Sequence, residues 1–248
     1  SLPNNLIGSI ILEIPSKRVS GKSDLQLLVS DHRARDMVKR VMDIKPVGID
    51  LQVQVKVSKF GNLSSGIRNT YINLDNDKQV QEMEKTVASG YKNNIKLDQL
   101  SFTGLDQVND SISYTYQLKV KNEVSEIGSL NTFRVTYPDV VASLDNFTSD
   151  ERSYPVEYWT YEDGDLYETI VNITAPAGKK FVELPTSENL QFKDMNFSIK
   201  YTLKSPGKLM ITRRYSCKRQ NISPADYPAF KSFFEKIVRA EQKFIAYK

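Results

Sequence analysis

The stretch Leu51-Gln52-Val53-Gln54-Val55-Lys56-Val57 decides the fold class of this chain. Apolar and polar residues alternate strictly in it, which is the period of a β-strand with one face in a core and the other toward water. The same alternation returns over residues 112–120 and again over residues 197–203. These patterns predict a mainly β (β-rich α+β) protein built of antiparallel sheets or a β-sandwich.

Turn residues separate the predicted strands. Ser205-Pro206-Gly207 is typical of a tight turn that leads the chain back into another strand. Asp163-Gly164 indicates a hairpin turn between two strands. Gly61-Asn62 predicts a third turn, and we expect the strand that follows it to end near Ile72 and Leu74.

One internal segment changes to the helical period. Its apolar residues recur on one helix face and are Val80, Met83, Val87 and Tyr91. The residues Asp75 to Asp77 offer N-caps, and Gly90 stands where a C-cap glycine is expected. The pattern predicts one internal helix over residues 77–90.

The last segment has the stronger helical pattern. Its apolar stripe consists of Phe230, Phe233, Phe234, Ile237 and Val238. Glu241 is the single polar residue in the stripe, and Ser223-Pro224 offers an N-cap and a first-turn proline. An amphipathic helix is therefore predicted over residues 228–243. Because the stripe is too apolar to stay exposed, we expect Phe233 and Phe234 to pack on the chain's own sheet or to dock on another domain.

Two further segments bear on the division of the chain. Residues 31–43 carry apolar residues at helical spacing after Asp31, although predicted strands surround them. The polar stretch from Asp139 to Ser153 has few apolar residues and predicts a long loop or linker. We expect an N-terminal β-rich half over residues 1–149, with the helix near 77–90. The second half, residues 150–248, is predicted as a β-sandwich closed by the C-terminal helix.

The composition excludes several kinds of site and partner. The 248 residues include 34 Lys and Arg, 30 Asp and Glu, one His and one Cys. One Cys and one His cannot supply the ligands of a structural zinc site, and a single Cys cannot form an intrachain disulfide. The net charge of +4 is small for nucleic-acid binding. No apolar run is long enough to predict a membrane span.

Three short motifs favour structural roles over catalytic ones. Gly21-Lys22-Ser23 ends like a phosphate-binding loop, but Ser16 stands where that loop needs a glycine. His32 is the one histidine that could act as a base, and it lies in a charged run. The sequence contains no glycine-flanked serine that could serve as its nucleophile. Cys217 has cationic neighbours but no implied base, so we expect a half-buried structural thiol. The residues therefore assign no catalytic, cofactor-binding or metal-binding role.

Aromatic residues are concentrated between Tyr154 and Tyr167. On a strand over residues 156–161, Trp159 and Tyr161 share one face and Tyr158 lies on the other. A shared Trp and Tyr face can stack on a sugar, and the same residues suit a β-sandwich core, which is the favoured interpretation. Trp159 and Tyr161 are the possible ligand-binding residues, for a carbohydrate or a peptide.

Charged residues leave two other interpretations to weigh. The densest basic set is Lys208, Arg213, Arg214, Lys218 and Arg219. Alternation divides this set between two faces, so we expect a solvated sheet edge and no nucleic-acid interface. A hydrolase that uses two carboxylates remains an open alternative, because spacing in sequence does not set the distance between them.

Several short motifs, taken in order, resemble a known arrangement. The motifs are Gly61-Asn62-Leu63-Ser64-Ser65-Gly66, Asn146-Phe147, Arg152-Ser153-Tyr154-Pro155-Val156, Ala175-Pro176-Ala177-Gly178, Val182-Glu183-Leu184-Pro185 and Asp226-Tyr227-Pro228-Ala229-Phe230-Lys231. Over residues 48–248 the chain resembles the C-terminal region of Bacteroidetes-type proteins in which a transglutaminase-like core is flanked by domains of unknown function.

The resemblance implies a role, a partner and a location. It implies a non-catalytic accessory or interaction module that positions the transglutaminase-like domain of the same parent chain or presents a binding face. It also implies export to the periplasm or the cell surface, and it implies no cofactor. Neither Cys217 nor His32 matches the catalytic motifs of such a core, so no catalytic residue is carried over. The start at Ser1, without an initiator Met, suggests a piece of a longer protein. The alternative is an independent carbohydrate- or peptide-binding β-sandwich.

Overall fold

An eight-stranded sheet is the largest element of the structure, a computed structural model that describes residues 10–12, 25–27, 36–107, 111–143, 145, 147–158, 166–217 and 220–248. The elements up to residue 134 are β1 (Ile10–Leu12), β2 (Leu25–Leu27), β3 (Met37–Val47), β4 (Asp50–Phe60), α1 (Asn62–Tyr71), α2 (Asn76–Ala88), β5 (Ile95–Thr103), β6 (Ser111–Val120), β7 (Ser125–Ile127) and β8 (Leu130–Arg134). The later elements are β9 (Val156–Tyr158), β10 (Leu166–Thr174), β11 (Glu188–Phe192), β12 (Met195–Ser205), β13 (Lys208–Ser216), β14 (Gln220–Ile222), α3 (Tyr227–Glu241) and β15 (Phe244–Tyr247).

The main sheet has the strand order β11-β12-β13-β10-β3-β4-β6-β5. Its neighbouring strands are antiparallel except β3 and β10, which pair in parallel from Met37 and Leu166 to Ile44 and Ile173. This parallel pair, called the seam below, joins four strands from residues 37–120 to four strands from residues 166–216. Smaller sheets are formed by β1 with β2, by β9 with β14, and by β7, β8 and β15. The prediction of a mainly β fold with antiparallel sheets and a C-terminal helix is confirmed.

Alternation gives the main sheet two different faces. In β4, Val55 and Val57 are fully buried, whereas Gln54 and Lys56 are exposed. Strands β3 and β6, which pair with β4 on its two sides, repeat this pattern in register, so the buried side chains form a continuous layer. The helices pack on this buried side, which we call the covered face. The predicted strands over residues 51–57, 112–120 and 197–203 are confirmed, as is the turn at residues 205–207.

The helix predicted over residues 77–90 is confirmed as α2. Its N-cap is Asp75, whose side chain accepts a hydrogen bond from the backbone N–H of Lys78 at 2.9 Å. Met83 and Val87 are its buried residues, and the Glu84 carboxylate accepts the backbone N–H of Leu97 on the neighbouring strand. The helix ends at Ala88 with Ser89 as its C-cap, so Gly90 stands at the next position, where a helix-ending glycine is expected. Gly90 does not adopt the positive φ of a left-handed cap.

A second internal helix, α1, occupies the place of a predicted strand. The expectation of a strand ending near Ile72 and Leu74 is wrong, since Asn62–Tyr71 is helical. Gly61 has φ of 64°, which reverses the chain after β4, and the Ser64 hydroxyl donates to the Gly61 carbonyl at 2.7 Å. Arg68 then donates to the backbone carbonyls of Gly104 and Ser111 at 3.3 and 2.6 Å. These tertiary contacts tie the helix to the residue after β5 and to the start of β6.

The helix considered for residues 31–43 is also wrong where the structure describes it. Residues 37–43 belong to β3, which lies in the middle of the main sheet between β4 and β10. Val38, Met42 and Ile44 are buried on one face of this strand. Spacings of four residues fit both a helix face and a strand face, so pairing with two neighbouring strands decided between them. Residues 31–35 lie outside the described part of the chain.

The C-terminal helix is confirmed as α3, which begins at Tyr227. A 3-10 turn over Pro224–Asp226 precedes it, and the Ser223 hydroxyl caps this turn by accepting the backbone N–H of Asp226 at 3.2 Å. The apolar stripe of α3 packs within the chain itself, so that Phe233 and Phe234 are 4% and 1% exposed. Of the helices that the structure describes, none has the length and apolar character needed to cross a membrane.

The segment predicted as a loop or linker, residues 139–153, has little regular structure but is packed. Phe147 stacks on Phe234 with ring centroids 5.3 Å apart and meets Phe230 edge-on at 5.4 Å. The Tyr227 hydroxyl donates to the carbonyl of Ser149 at 3.2 Å. The predicted division at residue 150 falls inside this packed segment, and the seam joins strands from both predicted halves.

Candidate functional site

The solvent-facing side of the main sheet, here the open face, is the widest polar surface that the strands assemble. It consists of every second residue of the runs 39–45, 50–58, 113–119, 168–174, 198–204 and 208–214, together with Lys96 and Asp98. Most of these side chains are exposed because the helices lie on the covered face. The strand alternation that predicted a solvated polar side therefore produces this surface.

The open face carries more cations than acids. Its cations are Lys39, Lys45, Lys56, Lys96, Lys119, Lys200, Lys204, Lys208 and Arg214. Its acids are Asp43, Asp50, Asp98 and Glu168. The excess of five on this one face compares with a net charge of +4 for the whole chain. The positive charge of the protein is therefore concentrated on one side of the sheet.

Some of these cations are paired and others are not. Glu168 lies 3.9 Å from Lys39 and 3.7 Å from Arg214, and Lys119 lies 3.1 Å from Asp50. A hydrogen bond from the backbone N–H of Asn122, together with Lys119, holds the pKa of Asp50 below its usual value. Five exposed lysines of the open face have no ion pair with any residue that the structure describes, namely Lys45, Lys56, Lys200, Lys204 and Lys208.

The centre of the open face is less polar than its margins. Ile170 of β10, 39% exposed, pairs with Val41 of β3, and Met210 lies on the next strand, β13. Val41 and Met210 are half-buried. Beside this apolar centre, Asn172 donates to the Asp43 carboxylate at 2.8 Å. An apolar centre inside a polar, cationic margin is the composition that protein interfaces have.

A row of buried polar residues lies on the covered face at the seam. Thr169 on β10 pairs in register with Arg40 on β3 and with Arg213 on β13, and all three are buried. Burying two guanidinium groups is costly unless each has an anionic partner and hydrogen bonds. The chain supplies these partners from residues 137–139 and from α3.

Arg40 holds Asp139 with two parallel hydrogen bonds. Its Nε and Nη2 donate to the two carboxylate oxygens at 2.8 and 3.0 Å, and its Nη1 donates to the Tyr116 hydroxyl at 3.2 Å. Burial raises the pKa of Asp139, but the charge and hydrogen bonds of Arg40, together with the charges of Lys59 and Arg213, outweigh it, so the pKa lies below its usual value. Asp139 is therefore an ionised partner that fixes the segment above the seam.

Arg213 holds the same segment by other contacts. Its Nε donates to the Glu241 carboxylate at 2.5 Å, and its Nη2 donates to the backbone carbonyl of Asp139 at 3.0 Å. The guanidinium carbon also lies 4.9 Å from the centroid of the Tyr137 ring. Burial raises the pKa of Glu241, and Arg213 opposes that rise. Both arginines are enclosed, so their contacts support the structure of the sheet.

The predicted aromatic site lies outside the described residues, because neither Trp159 nor Tyr161 is among them. Their role as ligand-binding residues therefore stays a prediction. Their neighbour Tyr158 is described, and its ring meets Phe230 edge-on at 5.3 Å. His32, Gly21-Lys22-Ser23 and the Asp163-Gly164 turn also lie outside the described part.

The remaining residues singled out from the sequence have clear positions. Phe233 and Phe234 face the chain's own core, which is the first of the two arrangements expected for them. Cys217 is half-buried, as expected. The division of the basic set between faces is confirmed for its three described members, since Arg213 is buried whereas Lys208 and Arg214 are exposed. The expected sheet edge is wrong, because their strand, β13, lies between β12 and β10. Lys218 and Arg219 lie outside the described residues.

The carboxylates of the open face do not have the spacing of a hydrolase site. Asp43 and Asp98 line one shallow depression there. They stand in one row separated by Gln54 and Gln117, which is three strand spacings or about 14 Å. Paired glycosidase carboxylates lie about 5 to 9.5 Å apart, so this pair is too widely spaced. Among the described residues, no three His, Cys, Asp or Glu side chains are grouped for a metal ion.

Sequence reasoning missed the Arg40–Asp139 pair, although the sequence contained a signal for it. Arg40 stands at a position of β3 that faces the core, between the buried residues Val38 and Met42. Glu241 likewise interrupts the apolar stripe of α3. A charged residue at a core-facing position requires a partner of opposite charge, but the sequence does not identify which residue that partner is.

A comparison with known protein families matches the later part of the chain. Residues 134–246 match the family described as a Domain of Unknown Function with solved-structure structure (DUF3858). The matched region runs from the end of β8 to β15 and includes Asp139, Arg213 and Glu241, whereas Arg40 lies before it. No curated protein matches the chain.

Proposed function

We propose that this chain is a non-catalytic interaction module whose open face docks on another protein domain. By the resemblance stated above, that domain is the transglutaminase-like domain of the same parent polypeptide, in a protein exported to the periplasm or cell surface. The observation that carries the proposal is the open face itself, a cationic sheet surface with an apolar centre formed by Val41, Ile170 and Met210.

The position of the ionisable groups supports a binding role over a catalytic one. The buried charges are Arg40, Asp139 and Arg213, and they lie on the covered face. Arg40 binds the Asp139 carboxylate, and Arg213 binds the Asp139 backbone carbonyl. Groups that perform catalysis must reach a substrate, whereas these groups are enclosed by the helices and by residues 137–141. The exposed lysines of the open face are, in contrast, accessible to a partner.

Lysine footprinting of the natural polypeptide tests this proposal. An acylating reagent labels exposed amines, so Lys45, Lys56 and Lys200 label fully in the isolated chain. In the polypeptide encoded by the whole gene, docking that covers the open face should lower their labelling by about tenfold, because the partner excludes the reagent from these amines. Lys85 and Lys236, exposed on the outer sides of α2 and α3, should label equally in both samples.

Three results would contradict the proposal. Equal labelling of the open-face lysines in both samples would show that nothing docks there. A reading frame that encodes no transglutaminase-like domain would remove the named partner. Hydrolysis or crosslinking of peptides by the purified chain alone would contradict the non-catalytic role.

A further inference from the structure

We infer that the partner of the open face is a folded domain with an acidic surface, and that the lysines select it by charge. This inference rests on the proposed function and adds the chemistry of the partner. The excess of cations on the open face is its first support, because a surface of one sign attracts and orients a surface of the opposite sign.

The size of the open face fits a folded domain. Eight strands at about 4.8 Å and strand lengths of about 30 Å give roughly 1,000 Å². A stable protein interface takes about 800 Å² from each partner. The open face is therefore large enough for one interface of ordinary size without help from the helices.

The apolar centre distinguishes a protein partner from a flexible polyanion. Val41 and Ile170 are direct neighbours across the seam. Lys56 lies beside Val41 in register, and Lys200 follows Ile170 in the same row, with Thr212 between them. Protein interfaces combine an apolar core with a polar margin, whereas binding to a polyanion depends on charge contacts alone. The pattern on the open face has both components, which favours the acidic domain.

The unpaired lysines are the positions at which to test selection by charge. Lys45, Lys56 and Lys200 lie on three different strands, and ion pairs with described residues do not neutralise them. The triple variant Lys45→Glu, Lys56→Glu, Lys200→Glu reverses the local charge without removing a buried contact. Lys85→Glu, Lys92→Glu, Lys236→Glu is the matched control, since these three exposed lysines lie outside the open face.

The experiment is lysine footprinting of both variants in the natural polypeptide, with Lys39 and Lys208 as the remaining open-face reporters. In the open-face variant we expect their labelling to rise by about tenfold, to the level of the isolated chain, whereas the control variant stays protected. Raising the salt to about 0.5 M, where the Debye length is about 4 Å, should also weaken the protection of the unmodified protein.

The outcomes separate this inference from the proposed function. Protection that survives both charge reversal and high salt overturns the acidic partner but leaves the docking role. No protection in the unmodified polypeptide overturns both. Protection of the isolated chain by heparin, with open-face lysines still labelled in the natural polypeptide, would identify a polyanion as the occupant and overturn the inference.

Discussion

At the scale of single residues, the buried Arg40–Asp139 pair is the most consequential contact. Arg40 is 5% exposed and makes two hydrogen bonds to one carboxylate, so removing that carboxylate leaves a buried cation without its counter-charge. The pair also links a strand outside the matched family region to the start of that region. It therefore contributes both to stability and to the position of the segment above the seam.

Asp139→Asn is expected to lower the free energy of unfolding by about 3 kcal/mol, since breaking one side of a buried ion pair is strongly destabilising. Urea unfolding followed by circular dichroism measures this change. Asp150→Asn is the control, because Asp150 pairs with Lys231 while its own side chain is 96% exposed. A variant at Asp139 that unfolds at the same urea concentration as the control would contradict the role given to the pair.

The same pair predicts a dependence on pH. The pKa of Asp139 is lowered in the folded protein, so its stabilising contribution is complete above the usual carboxyl value of 3.8. It is lost as the pH falls through the lower, folded value. The difference in unfolding free energy between the natural protein and Asp139→Asn should therefore shrink below about pH 3.8. A difference that stays constant down to about pH 2 would refute this sign.

At the scale of elements, α3 is stable because its phenylalanine face is packed against aromatic residues from several segments. Phe234 contacts the rings of Phe147 and Tyr158 with centroids 5.3 and 5.6 Å away, and it is 1% exposed. The helix therefore holds the packed segment of residues 147–149 and β9 to the main sheet.

Phe234→Ala is expected to cost about 3–5 kcal/mol of unfolding free energy, which is the usual cost of removing a buried phenyl ring. Phe244→Ala provides the comparison, because Phe244 is 55% exposed and should cost about 1 kcal/mol or less. Guanidinium unfolding curves of both variants give the two values. Equal losses would mean that the face of α3 is not the packed core described above.

At the scale of the whole molecule, the seam makes the two groups of four strands one sheet. Strand β10 pairs with β3 from Leu166 to Ile173, and all of β3 precedes the predicted boundary at residue 150. A fragment of residues 150–248 would leave the edge of β10 that pairs with β3 without a neighbouring strand, and it would lose Asp139, whose carbonyl accepts from Arg213.

We therefore expect residues 150–248 to fail to fold when expressed alone. Amide proton dispersion in a two-dimensional NMR spectrum would measure this, with the whole chain as the folded reference. The whole chain should unfold in a single cooperative calorimetric transition. A well-dispersed spectrum from the fragment would instead support the division into two halves that the sequence predicts.

The local sequence determined a large part of the fold. Alternation specified which residues of β4, β6 and β12 face the core, and the stripe from Phe230 to Ile237 specified α3. Both patterns are local because the side-chain period of a strand or helix follows from backbone geometry over a few residues. The same reasoning predicted that Lys208 and Arg213 would lie on different faces.

Only the tertiary structure decided which strands become neighbours and which side of the sheet is covered. The helix α1 replaced a predicted strand because Arg68 binds carbonyls far along the chain, and β3 became a strand because two strands flank it. The partner of Arg40 is 99 residues away, at Asp139. Such contacts depend on long-range packing and charge compensation, and no period within a short segment encodes them. The open face exists for the same reason, since the helices cover one side of the sheet and leave its lysines exposed.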